Sequence, residues 1–110
     1  MIVLMLILVN VFNISASPYY AHAKSILNAI RYVPNEKGVL CIATNHAGDV
    51  LNFELVAGLA EMEGIHTRQI YVSDDITSAE KTQREERRGI AGVYLIVKIA
   101  AAASGTVVVL

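Results

Sequence analysis

Gly38-Val-Leu-Cys-Ile-Ala-Thr-Asn-His-Ala-Gly-Asp-Val-Leu-Asn-Phe53 is the stretch whose reading decides the fold. Val39 to Ala43 is apolar, uncharged and too short for a helix. Gly38 bounds it before and Asn45 after, as expected of a strand buried on both faces. From Asp49 the spacing changes. Val50, Phe53, Ala57 and Ala60 recur on one side, with Leu51, Leu55, Leu59 and Met62 beside them, which predicts a helix with a wide apolar face and Asp49 as its N-cap. The stretch therefore reads strand, loop, helix. In open α/β sheets the loop beyond a strand's carboxyl end, beside a helix N-terminus with free N–H groups, is where ligands sit. Thr44 to Asp49 occupies that place. A structural role for Asp49 as a cap and for Gly48 as a turn residue accounts for the same pattern.

Outward from this stretch the pattern repeats. Gly64 fits a helix C-cap, and His66 to Val72 reads as a second strand. Upstream, Ser17-Pro18 suits a helix start, with Ser17 as N-cap and Pro18 at the first helical position. Ala21, Ile26, Leu27, Ile30 and Val33 supply that helix's apolar side to about Tyr32, and Pro34 to Gly38 ends it. Helix, strand, helix, strand argues for a mainly parallel sheet flanked by helices. His22 falls within the first helix with no second ligand-type residue at metal spacing. Asp74-Asp75 closes the strand on the same edge as Asp49. Two adjacent carboxylates suit a hard cation, but turn and cap chemistry explains them equally well.

Composition narrows the function classes. A chain of 110 residues, 55% apolar, supports one domain at most, with a substantial core. Nine basic and ten acidic residues leave a net charge of -1, which offers no field for nucleic acid or an anionic membrane. Cys41 is the single cysteine, so no disulfide framework exists, and its place in the strand favours a buried structural thiol.

The asparagine-to-phenylalanine segment, Asn45-His-Ala-Gly-Asp-Val-Leu-Asn-Phe53, resembles the Asn-Tyr-Thr-Gly-Asp-x-x-Asn-Phe signature of the dihydroxyacetone (glycerone) kinase family, in the triose-holding K domain, or DhaK domain. Further matches stand in order: Ala16-Ser17-Pro18, Ala29-Ile30-Arg31, Glu63-Gly64-Ile65, Asp74-Asp75, Arg87-Arg88-Gly89-Ile90-Ala91-Gly92 and Lys98-Ile99-Ala100. The resemblance covers about 10–103, leaving 1–9 and 104–110 divergent. It implies a partial three-layer α/β sandwich, a fragment of a DhaK-type domain. It also implies that Asp49 is the catalytic and substrate-binding carboxylate that accepts the proton of the hydroxyl being phosphorylated. Thr44 replaces a family lysine and offers the triose one hydroxyl. His46 stands where the family has tyrosine.

The family's Gly-Gly-Gly-Ser-Gly-His-Glu-Pro loop is expected before residue 1, and its covalently binding histidine after residue 110. His22, His46 and His66 match neither, and the resemblance places no catalytic role on Asp74-Asp75 and a structural one on Arg87-Arg88-Gly89, at the start of a helix. Mg-ATP in the family binds a separate domain or subunit, so no cofactor or metal is expected here, and the chain alone is expected to be inactive. Partners implied are dihydroxyacetone or a related triose, and a second K domain, including a homodimer. The alternatives are a non-catalytic protein that pairs with another K domain, or a small secreted protein.

The secreted reading turns on the ends. Met1–Val9 is an apolar run with no preceding basic residue, too short for the ~20 residues of a bilayer span. Ser15-Ala16-Ser17 would serve as a cleavage site and Asn13-Ile14-Ser15 is a sequon. The resemblance instead aligns Asn10-Val-Phe12 and Ala16-Ser17-Pro18 with a family strand and turn, placing Met1 to Leu8 in helix space within a cytoplasmic domain. Thr77 to Arg88 reads as a solvated loop or exposed helical turn, and Ile90 to Ala103 as a helix buried against other protein. Thr106 to Leu110 reads as a free, β-branched, aggregation-prone end.

Overall fold

A computed structural model describes residues 3–6, 18–104 and 107–109, with side chains described from 23 to 103. Four strands, β1 (Val3–Leu6), β2 (Val39–Thr44), β3 (Thr67–Val72) and β4 (Val107–Val109), alternate with three helices, α1 (Pro18–Tyr32), α2 (Ala47–Met62) and α3 (Gly92–Ser104). The sheet has the order β3-β2-β1-β4 and every pairing is parallel. β1 lies in register with β2 from Val3 opposite Val39 to Leu6 opposite Ile42. β2 lies in register with β3 from Val39 opposite Thr67 to Thr44 opposite Val72.

The strand read from Val39 to Ala43 is present and runs one residue longer. Its alternate residues serve two cores. Val39, Cys41 and Ala43 pack with Ala23, Ile26, Leu27, Ile30 and Val33 of α1 and its end, and with Phe53, Val56 and Ala60 of α2. Leu40 and Ile42 face the opposite side, where Val72 of β3 meets Val93, Val97, Ala100 and Ala101 of α3. α1 and α2 therefore form one layer, the sheet the second and α3 the third, the arrangement expected of an α/β sandwich. Each large side chain removed from water here contributes roughly 1.5–3 kcal/mol.

The end of α2 is fixed by backbone geometry. Gly64 at φ +78° lets its N–H reach Glu61 O at 3.0 Å while Ile65 N reaches Ala60 O at 2.9 Å, the paired bonds of a Schellman motif. Gly64 thus follows the C-cap, Glu63. Arg31 Nε donates to Glu63 Oε2 at 2.8 Å, joining the ends of α1 and α2.

Four expectations are corrected. Within the run expected to occupy helix space, Val3–Leu6 is an inner strand between β2 and β4. Val107–Val109 is paired with β1 instead of hanging free, so its β-branched residues are an edge strand. Only half of the broad apolar face of α2 is buried; Leu51 is 64% and Met62 85% exposed, because α1 and the sheet cover the Phe53, Val56 and Ala60 stripe alone. Ile90 to Ala103 begins its helix at Gly92, and Tyr94, Leu95 and Ile99 face outward from the sheet layer uncovered. His66 lies just before β3, which starts at Thr67. The readings on Asn10 to Ser17, including the Ser17 cap and the cleavage site, and on the side chains of Ala21 and His22, fall outside the described residues. No helix among the described residues is long and apolar enough to cross a membrane.

Two consequences are measurable. Burial pushes the Cys41 thiol up to about 12, so labelling by iodoacetamide at pH 8 is expected only as fast as the chain unfolds; rapid labelling under native conditions would contradict the two-faced burial of β2. At Gly89 an added Cβ would lie 2.2 Å from Val72 O and 2.9 Å from Thr44 Cβ. Gly89→Ala is accordingly expected to lose on the order of 1–3 kcal/mol or more in urea unfolding, because backbone cannot yield there as a side chain would.

Candidate functional site

The loop Thr44 to Asp49 does stand at the carboxyl end of an interior strand. The order of the sheet reverses between β1 and β4, so the crevice of such a reversal lies one strand away from this loop, which stands between the ends of β1 and β3. α2 begins at Ala47 and its N-cap is His46, in extended conformation without a side-chain cap bond. The expected N-cap, Asp49, is therefore in the first helical turn. Its carboxylate does not bond the backbone at the cap: Thr44 Oγ1 donates to Asp49 Oδ2 at 2.9 Å. The two residues singled out in the sequence are thus brought together, both half-buried. One carboxylate oxygen is oriented by the hydroxyl, beside the N–H groups and partial positive charge of the helix start. Asn52 Nδ2 donates to Gly48 O at 2.9 Å, bracing the same turn from the buried side.

A second segment closes over this edge. Lys81–Glu86 forms short 3-10 turns with a kink at Gln83, and Arg87 to Ala91 then runs to α3. Asn45 N donates to Val72 O at 2.9 Å, while Asn45 Nδ2 donates to Glu85 O at 3.0 Å and Arg87 O at 2.6 Å. His46 Nε2 lies 3.3 Å from Gly89 O. Arg87 Nε donates to Ala79 O at 3.1 Å. Arg87-Arg88-Gly89 therefore precedes α3 and does not begin it, and Arg87 and Gly89 act within the loop, as the structural reading required. Sequence reasoning named Asn45 as a strand boundary and Gly89 within a structural run, but not the contacts they make. The signal available was Asn directly after a strand and Gly in a basic run, but their partners lie from 17 to more than 40 residues away.

An open groove of about 690 Å³ runs between the two segments, with Asn45 to Ala47, Val50 and Leu51 on one side and Glu86 and Arg88 on the other. Asp49 is not among its walls: the carboxylate turns back toward Thr44.

The acidic pair after β3 is occupied by backbone. Asp74 Oδ1 accepts from Ile90 N at 2.7 Å and Oδ2 from Gly92 N at 2.8 Å, which holds its carboxyl below the ordinary aspartate range. Asp75 Oδ1 accepts from Thr77 Oγ1 and Thr77 N, with the same direction of shift. Among the described residues no group of three or more His, Cys, Asp or Glu stands together to hold a metal ion.

Known proteins match this arrangement. The Dak1 domain model matches residues 5–110. A D-erythrulose kinase of Mycolicibacterium smegmatis is 42% identical over 92 residues, 84% of this chain and 15% of that protein. The dihydroxyacetone-binding subunit DhaK of a PTS-dependent dihydroxyacetone kinase of Listeria innocua is also 42% identical, over 84% of this chain and 26% of the subunit. The native crystal structure of the dihydroxyacetone kinase of C. freundii superposes with a TM-score of 0.65 at 39% identity, covering 76% of this chain and 15% of that one. The dihydroxyacetone kinase operon co-activator Dha-DhaQ superposes with a TM-score of 0.64 at 38% identity, over 73% of this chain and 25% of the co-activator. The chain thus spans about a quarter or less of the length of these relatives.

The Asp74 clamp gives a pH dependence of definite sign. A carboxyl with a depressed folded-state pKa stabilises fully above the ordinary aspartate value, about 3.9, and loses that contribution as pH falls through the lowered value. Amide protection of Ile90 and Gly92, corrected for intrinsic exchange, is expected to be flat from pH 7 to 5 and to collapse only below pH ~4. Loss of protection already at pH 5 to 6 would show that the carboxylate is not what holds these amides.

Proposed function

The chain belongs to the Dak1 domain family of the dihydroxyacetone kinases, and from that membership we propose that its carboxyl-edge loop handles a short ketose whose primary hydroxyl is to be phosphorylated. The kinases it resembles are named for dihydroxyacetone and for erythrulose. Both sugars carry a primary alcohol next to a ketone, and that unit is the substrate class proposed. As the hydroxyl oxygen forms its bond to phosphorus and the donor's leaving group departs, the hydroxyl proton passes to the carboxylate of Asp49. Thr44 holds Oδ2, so that Oδ1 remains to receive the proton. The observation that carries this reading is the 2.9 Å Thr44–Asp49 bond at the carboxyl end of an interior parallel strand.

The phosphoryl donor, Mg-ATP or a phosphotransferase-system protein, comes from another domain or subunit in this proposal, and residues 1–110 by themselves turn over no ketose. The proposed place of action is the cytoplasm. A second reading, a non-catalytic partner of another K domain, is favoured by the uncovered Leu51, Leu55 and Met62 on α2 and by the likeness to a co-activator.

Titration of the chain with dihydroxyacetone, followed by ¹⁵N NMR, is expected to move the amides of Thr44, Gly48 and Asp49, and intact mass is expected to show no covalent adduct. In an assembly active with its donor, Asp49→Asn should lower kcat by roughly 10²–10⁴-fold, the range for a lost general base. Amide shifts confined to other loops, or an adduct on His46 or His66, would count against the reading.

A further inference from the structure

We infer that Asn45 is a positioning residue: its side-chain carboxamide holds the segment Glu85 to Gly89 against the carboxyl edge and so fixes the surroundings of the Thr44–Asp49 pair. The inference rests on the site reading above. Both hydrogens of one amide nitrogen are spent on that segment, on Glu85 O and Arg87 O, while the backbone N–H of the same residue joins β2 to β3 through Val72 O. One residue thereby fixes three strands of chain to each other. Its remaining bonds run mostly to its own loop, Arg87 Nε to Ala79 O, Arg88 N to Ser78 Oγ and Asp75 N to Arg88 O, so Asn45, with His46 at Gly89 O, is what ties it to the end of β2. Lys81 to Glu86 are all exposed, and the 3-10 turns carry no buried side chain.

The closeness of Gly89 makes the arrangement specific. With only hydrogen on its Cα, the backbone at Gly89 settles over Val72 O, Thr44 Cβ and Asn45 N, and Gly89 O then comes within 3.3 Å of His46 Nε2. Thr44 is the residue that orients Asp49. A displacement of the segment is therefore transmitted by direct contact to the pair proposed to bind and deprotonate the substrate. The same anchoring places Glu86 and Arg88 across the groove from His46.

The chemistry of the carboxamide gives a signature that size does not. Asn45→Ala removes two donors and leaves two carbonyls to water. Asn45→Asp keeps the outline but turns a carboxylate oxygen toward two carbonyl oxygens, so it repels where Asn attracts. Trypsin sites stand at Arg87 and Arg88 within the segment and at Arg84 just before it, and they report its release. Cleavage there is expected to quicken about tenfold in Asn45→Ala, on the scale of two modest hydrogen bonds, and further in Asn45→Asp, with Cys41 labelling unchanged. Dihydroxyacetone-induced shifts at Thr44 and Asp49 are expected to shrink in the same order. Asn45→Ser, which keeps one donor, should fall between the parent and Asn45→Ala, and it replaces Asn45→Asp if the latter does not fold. Cleavage at the parent rate in every variant overturns the inference, as does faster cleavage with full-sized shifts, which would make Asn45 a fastening of the fold without bearing on the site. If the parent itself shows no shift with dihydroxyacetone, the site reading fails on its own, and the cleavage series still decides whether Asn45 holds the segment.

Discussion

Burial of β2 on both faces is the constraint from which the rest of the molecule follows. An interior parallel strand has no solvent face, so Val39, Cys41 and Ala43 and the intervening Leu40 and Ile42 must each be met by a helix layer. Polar groups have no place along its length, and the first of them, Thr44 and Asn45, gather at its carboxyl end. The candidate site lies there because the strand accommodates polar groups nowhere else.

That edge is shaped by backbone more than by charge. Asn45 and Gly89 bring a loop from 40 residues away into contact with the strand end, and Asp74 spends both carboxylate oxygens on the two amides that lead into α3. The acidic residues at this edge accordingly divide by role. Asp74 and Asp75 are bonded within the loop, whereas Asp49 Oδ2 accepts the Thr44 hydroxyl. Adjacent carboxylates on one edge differ in availability, and only the hydrogen-bond partners reveal which is which.

Local patterns were legible wherever the cause was local. The uncharged run from Val39, the helical recurrence that includes Phe53 and Ala60, and the glycine at Gly64 all announce themselves within a few residues, although Val56, buried beside them, was not in the stripe read. Misreadings arose where distant partners decide. Val3–Leu6 reads equally as helix or strand until β2 and β4 are seen to flank it, and Val107–Val109 needs β1 to become a strand. Periodicity gave α2 too wide a buried face, since spacing cannot say that no layer lies over Leu51 and Leu55. At the site, Thr44 and Asp49 were found through their motif, but the cap was misplaced from His46 to Asp49, because an aspartate in a first turn serves a cap or a neighbouring hydroxyl equally well in sequence. Asn45 was legible as the end of the strand and the start of the motif, but not its bonds to Glu85 and Arg87, which the fold sets.

The strand order has a consequence for how the polypeptide acquires its shape. β1, at residues 3–6, sits between β2 and β4, and its pairing with β4 spans about a hundred residues of chain. During synthesis β1 can find β2 promptly, yet its other flank stays open until the 107–109 segment has emerged. Contacts of such long sequence separation are slow to close, so the nascent protein passes through an interval with an unpaired, apolar flank at the middle of its eventual sheet. Chaperone dependence in this protein would originate at that seam.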